Sequence, residues 1–167
     1  MAKWIVGNGL NSYIEYLQKI NAVTDEAIGE AVYEMAKVVA DKVRANIQAL
    51  DAAPKGKTTY HVTETMIKSQ LSEEQKKGLL DGFGVSPMQD DNGYFNVKLG
   101  FDGYNSIKTK KYPKGQPNAL IARVTESGSS YREKTPFIRP AVNASKKQAE
   151  QAGQMKIDEK IAAIPQK

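Results

Sequence analysis

The chain contains no cysteine. That excludes disulfides and thiolate metal sites, and it suits a reducing compartment. It contains one histidine, His61, set among threonines. A single imidazole cannot build a multi-histidine metal centre, so His61 reads as a surface or packing residue. No apolar run approaches the roughly 18 residues needed to cross a bilayer. The opening "MAKWIVGNGLNSY" has one lysine and three consecutive large apolar residues, which does not match a secretory leader. Without an export signal the "NAS" sequon at Asn143 reads as chance. Nucleophile elbows and Walker loops are missing as well. "GNG" at 7–9 and "GFG" at 82–84 do not continue into a dinucleotide fingerprint. "DDNG" at 90–93 lacks calcium-loop spacing, because Leu99 stands where the closing glutamate belongs. No catalytic, cofactor-binding or metal-binding residue is assigned, and no enzyme is expected.

What is present fits an ordinary globular chain. Its 167 residues suit one domain and can bury roughly two-thirds of the unfolded surface. Net charge is +5, with Lys and Arg mostly interleaved with Asp and Glu. The exception is "KTKKYPKG" at 108–115, where Lys108, Lys110, Lys111 and Lys114 surround Tyr112. Such a run is either a solvated loop or a surface for an anionic partner. Tyr94, Tyr104, Tyr112 and Tyr131 flank glycine- and lysine-rich loops, positions equally suited to ordinary surface tyrosines or interface rings.

Periodicity predicts the elements. A short helix is expected over 10–20, with Ser12 and Glu15 as a capping box. A longer helix should run from Asp25 to Leu50, with Thr24 as N-cap and Ile28, Val32, Met35, Val39, Val43, Ile47 and Leu50 as one apolar stripe. Glu30, Glu34, Lys37, Asp41 and Arg44 would form its solvated face, with Lys37 paired to Asp41. Pro54 should end it, and 55–64 should be loop with a little strand. "SEEQ" at 72–75 is a capping box for a short helix closed by Gly78. "YFNVKLGF" at 94–101 alternates as a strand, paired with 79–87 across a turn at 89–93. A long loop spans 102–118. The spacing predicts a helix through 118–127, capped by Asn118, with Leu120, Ile121 and Val124 inward and Gly128 at its end. The last helix should open with Pro140 at its first position and could bend at Gly153.

Three stretches then take on meaning together: "GFDGYN" (100–105), "KYPKGQPNALIARVTESGSS" (111–130) and "KTPFIRPAVNASKK" (134–147). They resemble the tail-completion, or head–tail joining, family of long-tailed bacteriophages, also called minor tail or neck proteins. Glu126 and Gly128 match its "A..VE.GTS"-like segment, with Ser129 where Thr is usual, and Pro136 to Ala141 match its "PF.RPA" opening of the final helix. The order of elements agrees over about residues 24–160, and the match is specific over 94–147. The resemblance implies an α+β fold, a small mainly antiparallel sheet packed by a long N-terminal helix and a C-terminal helix. It implies a single domain over 1–167, with 1–22 as an N-terminal short helix or arm and 148–167 as a candidate C-terminal helical arm. It also implies a structural virion protein without cofactor, assembled in the host cytoplasm. Such a protein forms a ring, commonly a hexamer, between tail tube and neck or connector proteins, with at most transient DNA contact and no membrane. The alternative is a basic nucleic-acid-binding module using the 108–114 lysines. Candidate interface residues are Arg132, Lys134, Phe137, Ile138 and Arg139, together with Lys108, Lys110, Lys111, Tyr112 and Lys114. Phe137 and Ile138 either anchor the last helix to its own sheet or plug into a neighbouring subunit.

Overall fold

The structure is a computed structural model describing residues 8–53, 60–62, 67–92 and 95–163, with side chains from 25–53, 69–92 and 95–163. It is an α+β fold with, among the described residues, four helices and three two-stranded antiparallel ladders. Helix α1 (Asn8–Ala49) and helix α4 (Ile138–Ala162) form one layer. Helix α2 (Glu73–Gly82), helix α3 (Asn118–Ser127) and a hairpin cover the C-terminal half of α1.

At 42 residues, α1 is about 63 Å long. It runs unbroken through Thr24, so the two helices expected over 10–20 and 25–50 are one, and Thr24 is not a cap. Once a helix is nucleated each further residue adds a hydrogen bond, and "INAVTDE" contains neither glycine nor proline to interrupt it. The side chains of Ser12, Glu15 and His61, like Pro54 and Tyr94, lie outside the described residues.

Helix α4 lies antiparallel on α1. Lys160 reaches Glu26 and Glu30, Lys156 reaches Glu30, Gly153 sits against Met35 and Ala31, and Asn46 donates to the Phe137 carbonyl at 2.9 Å. The seam is built of small residues. Ala141, Ser145, Ala149 and Gly153 recur every fourth position on α4 and face Ala27, Ala31, Ala36 and Ala40 on α1. A Cβ on Gly153 would stand 2.7 Å from Met35 Cγ and Sδ, so the glycine permits close approach and does not break the helix. The expected stripe of Ile28, Val32, Met35 and Val39 is only half-buried. Alanines beside it take the centre because short side chains let the two backbones come together. Residues 148–162 are helical as expected, and they lie along α1 instead of standing clear of it. On the solvated face Asp41 pairs with Arg44 at 3.4 Å rather than with Lys37. Lys160, by its hydrogen bond, and then Lys156 hold Glu30 below the ordinary carboxylate range, against the opposing effect of burial.

Two short strands pair antiparallel: β1 (Tyr60–Val62), inside the stretch 55–64 expected to be loop with a little strand, and β2 (Ile67–Ser69), beyond it. The capping box forms as predicted: Gln75 N–H donates to Ser72 Oγ and Ser72 N–H to Gln75 Oε1, both at 3.2 Å. Gly78 does not close α2. It is buried mid-helix against Asn105 and Asn118, and the helix continues to Gly82. Residues 79–82 are therefore helix, not strand. The hairpin consists of β3 (Phe83–Val85) on β6 (Leu99–Phe101), then β4 (Gln89–Asp90) on β5 (Phe95–Asn96). Between them the predicted strand over 94–101 is interrupted: Lys98 N–H bonds the Ser86 hydroxyl at 2.9 Å, and Pro87 has no N–H to offer. Asn92 supplies a left-handed turn residue at φ 58°. Met88 pins the hairpin tip to α1, its N–H bonding Tyr33 Oη at 2.7 Å and its methyl filling the gap over Gly29.

The core gathers Val43, Ile47, Leu71, Leu79, Phe83, Ile121, Phe137 and Ala141. Phe83 stacks tilted on Phe101 at 5.1 Å between centroids, and Phe101 meets Phe137 edge-on at 6.0 Å. Ala141→Leu should force the α1–α4 seam apart and cost about 1–3 kcal/mol. The neighbouring exposed Val142→Leu should stay within about 0.5 kcal/mol. Urea midpoints of the two variants check this, and equal midpoints would contradict the seam.

Candidate functional site

Helix α4 does not begin at Pro140. It begins at Ile138, with Phe137 as its N-cap residue and Pro140 two positions further in. The cause is Glu126, in the last turn of α3. Its carboxylate accepts from the N–H groups of Phe137 at 2.7 Å, Ile138 at 2.8 Å and Arg139 at 3.0 Å. These are the donors that a helix start leaves without partners, and the next residue, Pro140, has no N–H to satisfy. Burial pushes the Glu126 carboxyl upward, but the three backbone hydrogen bonds and the Arg139 charge outweigh it and hold the group below its ordinary value. The segment "TESGSSYREKTPFIRP" thus folds into one tight joint. Gly128 ends α3 as expected, its N–H returning to Val124 O at 2.9 Å, and Thr135 N–H bonds Thr125 O at 2.8 Å.

The candidate interface residues separate into three environments. Phe137 is 1% exposed and packs in the chain's own core. Its ring contacts with Phe101 and its cap position remove it from the surface, which corrects its place among interface residues; Ile138 packs half-buried beside it. Lys134 and Arg139 are exposed next to the joint. Arg132 is 8% exposed, far more buried than a surface arginine. It donates to Gln75 Oε1 at 2.7 Å and, at a long 3.5 Å, to Thr125 Oγ1, and burial lowers its pKa.

The lysine loop is ordered by its own backbone. Asn105 N–H bonds Gln116 O, Gln116 N–H bonds Ile107 O, and Thr109 and Tyr112 exchange hydrogen bonds at 3.1 Å across the tip. Gly115 is required at its base: φ is +120° and a Cβ would stand 2.0 Å from Asn105 O. Asn118 does not cap α3. Its amide turns inward and donates to Asp102 O at 2.8 Å, tying the loop's start to its end. Lys108, Lys110, Lys111 and Lys114 are all exposed on this frame, and Lys111 stands 5.6 Å from the Tyr112 ring centroid. Tyr104 and Tyr131 are exposed and Tyr112 is half-buried.

The loop and the joint communicate through Gln75. Its Nε2 donates to Gln116 Oε1 at 2.7 Å while its Oε1 accepts from Arg132. Sequence reasoning assigned Gln75 only to a capping box; its low exposure of 6% is what marks the wider role. Among the described residues no group of three His, Asp or Glu side chains could hold a metal, and no helix is long and apolar enough to cross a membrane. Comparison with family models, with curated proteins and with solved structures finds no match to the chain.

Glu126→Ala should cost about 1–3 kcal/mol, the range for losing a cap and charge-assisted hydrogen bonds. Because the folded carboxyl titrates below its unfolded value near 4.5, its contribution is full above that pH and is lost as pH falls through the folded value. Glu126→Gln should therefore be less stable than wild type at pH 7, with the gap closing below pH 4.5. Urea titrations across pH 3–7 measure the gap; a gap independent of pH would refute a charged cap.

Proposed function

We propose that this chain is a structural virion protein that joins tail to head in a long-tailed bacteriophage. It acts without catalysis, assembling as a ring between the tail tube and neck or connector proteins. The observation that carries the reading is the joint between Glu126 and Phe137–Arg139. Its two halves, Ala122 to Ser129 and Pro136 to Ala141, are the segments that resemble the tail-completion family. Their direct contact gives that pairing of segments a physical reason. The α+β body, with its α1–α4 layer, is also the architecture the resemblance implies. A ring subunit needs a rigid body with polar surfaces for its neighbours. The exposed Lys134 and Arg139 beside the joint and the lysine loop supply such surfaces. On this reading the protein resides in the virion neck and meets DNA only in passing.

Native mass spectrometry of the purified chain, alone and mixed with purified tail tubes, tests the reading. The expected result is a monomer that converts to tube-bound oligomer; failure to form any complex with tube or connector at any ratio would overturn it.

A second reading is favoured by one observation, the four exposed lysines carried on a single hydrogen-bonded loop. A nucleic-acid-binding module built on them would bind duplex DNA near micromolar at physiological salt, with affinity falling steeply as salt rises. Replacing Lys108, Lys110, Lys111 and Lys114 by serine would abolish that binding in gel-shift titrations. Under the joining reading the wild-type chain gives no such shift.

A further inference from the structure

Among the described residues, Arg132 is buried without a charged partner. The residue is 8% exposed, yet its described acceptors are two neutral oxygens, Gln75 Oε1 and Thr125 Oγ1, the latter at 3.5 Å. Among the described residues no carboxylate lies within ion-pair distance of it. Leaving a cation buried without a counter-charge costs several kcal/mol, and a guanidinium offers five N–H donors in a planar fork suited to a carboxylate. Arg132 also lines an open cleft of about 200 Å³, with Asp51, Ser69, Leu71, Thr125 and Glu133 around it. Arg132 therefore borders space that a ligand can enter.

We infer that this cleft receives the carboxylate of an Asp or Glu side chain presented by a protein partner, with Arg132 as its counter-ion. Three features select that occupant. The volume falls short of the ~300–1,000 Å³ of ordinary small-molecule sites but accommodates one acidic side chain. Thr125, whose Oγ1 accepts from Arg132, keeps its hydroxyl proton for a remaining carboxylate lone pair, whereas the Ser69 hydroxyl is already donated to Tyr131 O. Asp51 and Glu133 are exposed and give the lining a net negative charge with Arg132. They repel a free phosphate or a nucleic-acid backbone and attract basic residues flanking the incoming acid. A small free acid gains one cation against two anions, whereas a tethered carboxylate with lysine neighbours satisfies all three. The partner is thus recognised by an alternating base–acid–base segment. Only the partner's identity as a tail or neck protein rests on the proposed function. The site is read on the isolated chain, so its failure and the failure of the joining role are separate results.

The test uses the full chain labelled with ¹⁵N and follows the Arg132 Nε–Hε signal. The probes are the capped peptide acetyl-Gly-Lys-Glu-Lys-Gly-amide, its glutamine counterpart, acetate and inorganic phosphate. The glutamate peptide should shift Arg132 saturably and bind at least tenfold more tightly than each of the other three. Asp51→Asn combined with Glu133→Gln leaves the buried network intact and should reduce the preference over acetate to about twofold or less. Equal binding of the glutamine peptide, acetate or phosphate would overturn the inference. So would the absence of a saturable Arg132 shift with every probe, or an unchanged preference in the double variant.

Discussion

One carboxylate, Glu126, fixes where α4 begins, and the long-helix layer depends on that start. A helix N-terminus carries roughly half a positive charge and donors that need acceptors. Residues 135–140 contain no Ser, Asp or Asn to supply them locally; "TPFIRP" offers one hydroxyl and two prolines. The acceptor comes instead from the preceding helix. Glu126 stands in the last turn of α3, the end whose dipole disfavours a negative charge. It is tolerated there because the α4 terminus faces it with three N–H groups. Each helix end thus offsets the unfavourable electrostatics of the other.

With the start fixed, the packing of α4 follows. Phe137 enters the core under Phe101, its carbonyl is held by Asn46, and Ala141, Ser145, Ala149 and Gly153 come to lie against α1. Small side chains transfer little apolar area apiece, so the seam gains from close contact along its length more than from any one residue. The Lys156 and Lys160 pairs with Glu26 and Glu30 close the far end, where exposure keeps ion pairs weak. Their value is register: they are formed only when the seam residues are opposed as observed. The other side of α1 is organised by polar groups. Gln75 links the start of α2, the base of the lysine loop and the buried Arg132. Gln75 bonds Gln116 and Arg132 directly, which ties the base of the loop to the buried body despite its exposed tip.

Signals confined to a few neighbouring residues were legible in the sequence. The Ser72–Gln75 capping box, the Gly128 helix end and the lysine loop all formed where composition and spacing placed them. The helical stripe over 25–50 located the element but not its buried centre, because hydrophobicity favours Ile28 and Val32 while packing against a second helix favours Ala27 and Ala31. Asn118 and Pro140 were misplaced for a related reason. Each has a strong local preference, for a cap and for a first helical position, and in each a partner distant in sequence prevailed: Asp102 O for Asn118, Glu126 for the turn holding Pro140. Of the candidate site, the exposure of the lysines could be read from their run. The burial of Arg132 could not, since it depends on Gln75, 57 residues away.

These contacts also say what the segments 122–129 and 136–141 specify. Phe137 is internal, Glu126 is engaged by three backbone amides, Gly128 closes a helix and Pro140 sits in a turn whose donors are already accounted for. Each is fully occupied by the chain itself, so together they encode a joint between two helices and not a surface offered to a neighbour. The joint sets the angle at which α4 leaves α3. The charged residues around the joint that the body leaves exposed are the lysine tip, Lys134 and Arg139. The joint constrains geometry through backbone N–H groups, which every residue but proline provides, whereas the surrounding charges can change without disturbing it.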